Sequence, residues 1–450
     1  MKRKIFLLIL IGLLSTANTY AGGWVNLFNE KDLTGWKLLN GKAKYYVQNK
    51  TIVGQSVSGQ PNSFLCTEKD YADFILEFEM KIDAGLNSGV QVRSQSKPDY
   101  KNYRVHGYQV ECDTAERAWS GGIYDEARRG WLYPLEINPV AQRAFTVGIW
   151  NRFRIEAVGT RIRTFINDTL CADLIDDVTS SGFIGLQVHG IGKNKELEGK
   201  KVYWRNLRIM TDPSVNDLYK ENISVRQVNM IPNTLSPKEK TLGWELLWDG
   251  KTTNGWRGTE QTRFPDKGWV IENGELIVLG KDAGDIITVD KFSNFELQVD
   301  FKYTKGANSG IKYFVDPAQY KDDPSWVGCE YQILDDSKHP DAKEGVNGNR
   351  TLASLYDLIP AENKYGKRVN KYDWNRATII VKGENVQHWL NNIKMVEYQR
   401  RNQMWKALVQ KSKYKKYTGF GNADSGHILL QDHSDKVHFR SIKIKQLSDN

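Results

Sequence analysis

Hydrophobic and polar residues alternate with a period of two along much of the chain. Phe74, Leu76, Phe78 and Met80 interleave with Ile75, Glu77, Glu79 and Lys81. Phe295, Leu297, Val299 and Phe301 interleave with Glu296, Gln298, Asp300 and Lys302. Successive side chains of a strand point to opposite faces, so such runs offer one face to a core and one to water. Similar strands are predicted at 152–158, 161–166, 202–209, 377–381 and 437–444. Short strands separated by Gly, Asn and Asp turns predict an all-β chain of the sandwich or jelly-roll kind. One stretch departs from this pattern. In 398–416, Met404, Trp405, Leu408 and Val409 form a helical apolar stripe among Lys and Arg. Such a helix can touch a membrane or a partner, but docking on its own domain is the expectation.

The pattern is written twice. Gly23–Phe28 with Leu33-Thr34-Gly35-Trp36 recurs as Gly243–Trp248 with Thr253-Asn254-Gly255-Trp256. The runs 71–78, Asn87-Ser88-Gly89, Trp150-Asn151-Arg152 and Leu186-Gln187-Val188-His189 recur at 292–299, 308–310, 374–376 and 430–433. Matching blocks kept in order indicate a tandem duplication. The offset drifts from 220 to 224 residues and then jumps to 244, which places an insertion in 398–416. The Pro-bearing stretch 211–241 reads as a linker that can also pack on a domain. The expected organisation is therefore a first domain over 22–210 and a second over 242–450.

Residues 107–131 hold the densest chemistry. Tyr108, Val110 and Cys112 alternate with Gln109, Glu111 and Asp113, and a row of three polar groups on one face predicts the wall of a wet cleft. Arg117, Trp119, Tyr124, Asp125, Arg128, Arg129 and Trp131 follow around Gly121-Gly122. Aromatic faces and forked guanidiniums on a loop suit a polar, ring-shaped ligand such as a sugar. Trp119, Tyr124, Arg128 and Trp131 are accordingly expected to border the cleft faced by Glu111.

Composition narrows the setting. Residues 1–21 join a basic start, Lys2-Arg3-Lys4, to a short apolar run and to Thr19 and Ala21 as small residues at the cleavage positions, with Ser15-Thr16-Ala17 as a second choice. That is the form of a signal peptide, and it predicts export to the periplasm or beyond. No later apolar run is long enough to span a bilayer. The net charge of +9 is dispersed among acids, which argues against nucleic-acid binding. The 14 Trp and 21 Tyr fit carbohydrate contact and sandwich cores alike. Four cysteines, three in the first half and one in the second, show no metal-binding spacing. They leave open one bridge, such as Cys66 to Cys171, or buried thiols.

These blocks together resemble the 3-keto-disaccharide hydrolase domain family, also described as 3-keto-glucoside 1,2-lyases and 3-keto-2-hydroxy-glucal hydratases. The resemblance rests on Leu-Phe…Leu-Thr-Gly-Trp, Asn-Ser-Gly, Gly-Tyr-Gln-Val-Glu or Gly-Cys-Glu-Tyr-Gln, Trp-Asn and Leu-Gln-x-His, and covers nearly all of both copies. It implies a concanavalin-like jelly roll in each copy and cleavage of 3-keto-glycosides. A C3 ketone acidifies the C2 proton; a base removes it, the C1 substituent leaves, and water adds back. In the first copy the resemblance implies Glu111 and His189 as base and acid in either order. Asp113 would tune them, and Arg93, Gln109, Gln187 and Asn87 would hold the sugar or its enolate. The corresponding set in the second copy is Glu330, Gln332, Asp335, Gln431 and His433, with Asn308. A divalent metal ion bridging the C2 and C3 oxygens could serve the same electrostatic purpose. A separate sugar 3-oxidoreductase would supply the keto-sugar.

The copies differ. Arg93 matches Phe314, Gln109 and Glu111 match Glu330 and Gln332 in exchanged order, and Leu334 stands where Asp113 does. Greater activity is therefore expected in the first copy. Two rivals compete. Glu111-Cys112-Asp113-Thr114-Ala115-Glu116 matches the Glu-x-Asp-x-x-Glu strand of retaining β-glucanases, whose outer carboxylates must sit about 5–5.5 Å apart. That would need a bulge at 114–115. The other rival is a non-catalytic carbohydrate-binding protein.

Overall fold

The computed structural model describes residues 23–281, 283–317 and 326–448. The expected signal peptide lies outside them. The alternating runs pair into two tandem jelly-roll sandwiches with the same strand order. Across the larger sheet of the first, the order is Thr169–Ile175, Arg161–Ile166, Asn151–Val158, Phe74–Ile82, Lys201–Thr211, Thr51–Gln55 and Lys44–Gln48. In the second it is Ile393–Gln399, Asn385–Leu390, Asn375–Lys382, Phe295–Tyr303, Val437–Gln446, Glu275–Val278 and Trp269–Glu272. The smaller sheet of the first domain runs His106–Asp113, Asn87–Gln95, Phe183–Val188, Ser63–Thr67 and Trp36–Asn40. That of the second runs Cys329–Leu334, Asn308–Val315, His427–Leu430, Ile286–Thr288 and Trp256–Gly258. The first domain extends its smaller sheet with a hairpin, Ile123–Glu126 and Gly130–Tyr133.

The core lies between the sheets, where the period-two pattern sends the apolar row. Phe74, Leu76, Phe78, Met80 and Ile82 are all buried, and Phe78 stacks on Phe153 at 5.0 Å. On the outer face of the same strand, Glu77 pairs with Arg154 and Arg208. The matching outer row of the second domain, Glu296, Gln298 and Asp300, is buried instead. Residues 226–241 and the first domain cover it. Arg226 pairs with Glu296, and Glu239 with Lys443. Asp300 takes a bidentate Arg376 at 2.6 and 3.0 Å. The stretch between the domains therefore packs rather than dangles. Its Val228–Asn229 adds a parallel strand to Leu174–Ile175, and its helix Pro237–Thr241 starts in a Ser236/Glu239 capping box.

Two expectations need adjustment, and one open choice is decided. The predicted helix over 398–416 is shorter: Gln403–Gln410, capped by Asn402, followed by a 3-10 turn Lys413–Lys416. Residue 398 still belongs to a strand. The helix docks on its own domain, with Trp405 stacked between Tyr398 and Phe420, while Met404 of the predicted stripe faces solvent. Of the two readings left open for the cysteines, the structure shows the second: all four are buried free thiols, with no Cys66–Cys171 bridge. Finally, the polar row of the strand Asn87–Gln95 breaks early. A bulge between Val92 and Gln95 puts Arg93 at φ 47°, and Phe314 sits at φ 56° in the equivalent bulge of the second domain. An extra residue in one strand turns the side chains after it to the other face. Arg93 is therefore sent away from the cleft.

Candidate active site

The strand His106–Asp113 carries the site. Its core-facing row is Tyr108, Val110 and Cys112, which leaves Gln109, Glu111 and Asp113 on the concave face. The Glu111 backbone is held on both sides. It pairs with Gly89 across one edge, and on the other it accepts from Gly121 N–H and donates to the Gly122 carbonyl at 2.8 and 3.0 Å. Gly89 is needed for room: a Cβ there would stand 2.6 Å from Gln109 Cγ.

The Glu111 carboxylate is surrounded by donors. Asn87 Nδ2 donates to Oε1 at 2.6 Å, Gln109 Nε2 to Oε2 at 2.9 Å, and Arg117 to Oε1 at 3.3 Å. The Gln109 amide cannot turn round, because its carbonyl oxygen already accepts from Gln91 at 2.6 Å and from Gln187 at 2.7 Å. Arg117 is in turn fixed by Asp113 at 2.6 Å and lies 5.0 Å from the ring centroids of both Trp119 and Trp131. Burial raises the Glu111 carboxyl, and the neighbouring Asp113 charge raises it further. Arg117, Asn87 and Gln109 oppose them, and the balance is about 7. A buried carboxylate poised near neutrality can take and return a proton.

Above this floor is a polar cavity of about 570 Å³. Glu111, Gln109, Asn87, Tyr124, Trp131 and His189 all line it, as expected from the sequence. His189 is exposed; its Nδ1 lies 2.9 Å from the Gly190 carbonyl, which can only accept, so Nδ1 donates there and Nε2 is left out of that bond. The sequence reading missed several liners. Arg104 and Glu126 form a lining ion pair at 2.5 Å. Arg129 lines the cavity where Arg128 was expected, and Lys367, Arg368, Asn370 and Asn391 come from the second domain. The last four carried no signal, since nothing local in the chain tells which loops meet across a domain interface.

Other expected residues lie elsewhere. Arg93 donates to the Ala72 and Gly159 carbonyls at 2.7 Å each and to Asp73 at 2.9 Å, and it does not line the cavity. Trp119 is fully buried behind Trp131, its ring edge-on at 4.8 Å, because the turn ending at Ala118 (φ 52°) folds it inward. Arg128 points to the far side of the hairpin, bonded to Asp125 and Thr179 over the Tyr108 ring. Gln187 does not reach the cavity surface; it acts through Gln109. Glu116 of the glucanase-like pattern is 89% exposed, pairs with Lys364 and does not line the cavity that Glu111 lines. Among the described residues no three metal-ligating side chains converge, and the oxygens of Glu111 are already taken by amide and guanidinium donors. These residues do not fit a side-chain-held divalent ion.

The second domain diverges at the equivalent place. Across from Gly310 stands Gln332, an amide bonded to Asn308 at 3.0 Å. Glu330 takes the place of Gln109 and lines a separate cavity of about 310 Å³ with Lys312, Lys413, Tyr414 and Gln431. Burial raises its carboxyl, and Lys312 and Lys413 pull against it. Tyr414 and Lys413 belong to the insertion, which roofs this cleft. Asp335 does not join the site. Burial works to raise its carboxyl, but Ser337, the Gly306 N–H and the Tyr372 hydroxyl outweigh it and hold it at about 2, in a turn. His433 is exposed and does not line the cavity.

Comparison with known proteins adds a family. A 3-keto-disaccharide hydrolase from Bacteroides thetaiotaomicron is 39% identical over 231 residues, 46% of this chain and 79% of that protein. A solved structure of a candidate glycosyl hydrolase from Parabacteroides distasonis is 30% identical, aligned over 48% of this chain and all of its own, with a TM-score of 0.43. A Bacillus subtilis carbohydrate binding module aligns over 40% of this chain and 96% of its own at 22% identity, with a TM-score of 0.27. The model of the 3-keto-alpha-glucoside-1,2-lyase-like domain matches twice, over residues 23–210 and 243–445, and the chain therefore belongs to that family in two tandem copies.

Proposed function

We propose that this protein is a glycoside-cleaving enzyme acting on 3-keto-glycosides through the first domain. The observation that carries the reading is Glu111: a buried carboxylate held by three donors, with its carboxyl near 7, on the floor of a sugar-sized polar cavity. Glu111 takes the C2 proton, and the C–H electron pair moves onto the C3 carbonyl as an enolate. Arg117 and the Asn87 amide lie beside that carboxylate and offer a cation and an N–H donor to the developing oxyanion. The enolate then re-forms the ketone as the C1–oxygen bond breaks, leaving a C1=C2 enone that keeps the C2 hydroxyl. His189 carries the proton for the departing oxygen. Water adds to C1 as its proton passes to the His189 left deprotonated by the elimination, and Glu111 returns a proton to C2. Asp113 holds Arg117, and Trp131 and Tyr124 provide ring faces for the sugar.

The family and the Bacteroides relative's name support this reading. The substrate must arrive oxidised at C3, so a sugar 3-oxidoreductase would act before it. The basic and apolar start of the chain supports export, with cleavage after Ala21. A mature chain beginning at Gly22 in the periplasm or medium is expected, and recovery of the intact chain from the cytoplasm would overturn export.

The test of function is incubation with a 3-keto-glucoside beside its unoxidised parent, with and without chelator. Release of the C1 substituent from the keto-sugar alone, with an enone or 3-keto-glucose as product, is expected. A C2-deuterated substrate should react slowly or exchange. Equal cleavage of both substrates would overturn the elimination chemistry.

A further inference from the structure

The cavity over Glu111 is not closed by the first domain. Lys367, Arg368, Val369, Asn370 and Asn391 of the second domain form the remaining wall. That wall is fixed in place. Asn392 donates to the Leu132 carbonyl at 3.0 Å, and Glu136 accepts from the Lys394 N–H at 3.1 Å and from Asn363 at 3.2 Å. Asn391 holds the Arg368 carbonyl at 2.9 Å, and Lys367 is spent on Asp336, Thr351 and the Leu352 carbonyl.

The lining cations differ in what they already bind. Arg104 pairs with Glu126, Arg117 with Asp113, Arg129 with Asp125 and Asp176, and Lys367 with Asp336. Arg368 is exposed, and among the described residues its guanidinium has no hydrogen-bond or ion-pair partner. It is a cation carried on a fixed loop and lining a cavity of about 570 Å³, with room for more than one sugar ring. The reacting ring must lie against Glu111 on the first domain. The rest of the ligand is left against the second domain.

We propose that the second domain supplies the leaving-group subsite of the first domain's site, with Arg368 as the residue that selects an acidic leaving group, a carboxylate- or sulfate-bearing sugar or aglycone. A forked guanidinium matches these planar or tripodal anions. The proposal rests on the 3-keto-glycoside reading, and its test separates the two.

The 3-keto-glucosides of phenol and of 4-hydroxybenzoate would be compared with the intact protein and its Arg368→Gln, Arg368→Lys and Arg368→Glu variants. The wild type should favour the acidic leaving group by about tenfold in kcat/KM, mainly through KM. Arg368→Gln should abolish that preference, with the larger loss of kcat/KM on the acidic substrate, Arg368→Lys should restore part of it, and Arg368→Glu should reverse it. Equal losses on both substrates, or a preference that survives Arg368→Gln, would overturn the subsite. Should the wild type cleave neither compound, the elimination reading fails. The subsite is then judged by calorimetry with a neutral and an acidic disaccharide: tighter binding of the acidic one that vanishes in Arg368→Gln supports it, and equal binding overturns it.

Discussion

Gln332 occupies in the second domain the strand position that Glu111 occupies in the first. Each lies directly across from the glycine of an Asn-Ser-Gly triplet, Gly310 and Gly89 respectively. An amide at that point can hydrogen-bond but cannot accept a proton from carbon. The duplicated fold thus holds a carboxylate at this position in one copy and an amide in the other.

Glu111→Gln should lower turnover by about a hundredfold or more while leaving the fold intact, because the basic oxygen is removed and the shape kept. Gln332→Glu should not rescue it, and Glu330→Gln alone should leave turnover near wild type. Steady-state kinetics of the three variants decides the matter. A dead Glu330→Gln beside an active Glu111→Gln would move catalysis to the second domain.

The base must be ionised to act, and the Glu111 carboxyl is raised to about 7. Activity should therefore fall as pH drops through about 7. Removing the opposing cation in Arg117→Met should move this acid limb to higher pH. Asp113→Asn removes a charge that raises Glu111 and frees Arg117 to face it, so the limb should move lower. Profiles of kcat/KM against pH for both variants check the two signs; a shared direction would show that another group sets the limb.

Arg93→Ala should cost stability, not catalysis. Its guanidinium is 1% exposed and donates to two carbonyls and to Asp73. Losing these charge-assisted bonds should cost roughly 2–4 kcal/mol in denaturant unfolding, with kcat of the folded fraction unchanged. A variant of full stability and raised KM would return Arg93 to the site.

Trp131 and Trp119 touch each other but should separate in their effects. Trp131 lines the cavity, so Trp131→Ala should raise KM. Trp119 is fully buried, and Trp119→Ala should destabilise by about 3–5 kcal/mol through the void it leaves. Melting temperature and KM measured on both variants test the division.

The sequence by itself determined the duplication, the strand runs and the cleft-facing row Gln109–Glu111–Asp113. Strand faces follow from a local period of two, and a repeat can be read wherever blocks keep their order. It also exposed the Glu/Gln exchange between copies. The tertiary structure decided which neighbours joined that row. A single bulged residue removed Arg93 from it, and the turn ending at Ala118 buried Trp119. The hairpin set Arg129 rather than Arg128 over the cavity. Arg368 and Asn391 reached it only because two sandwiches dock, and docking depends on how side chains far apart in the chain fit together, which no local pattern records.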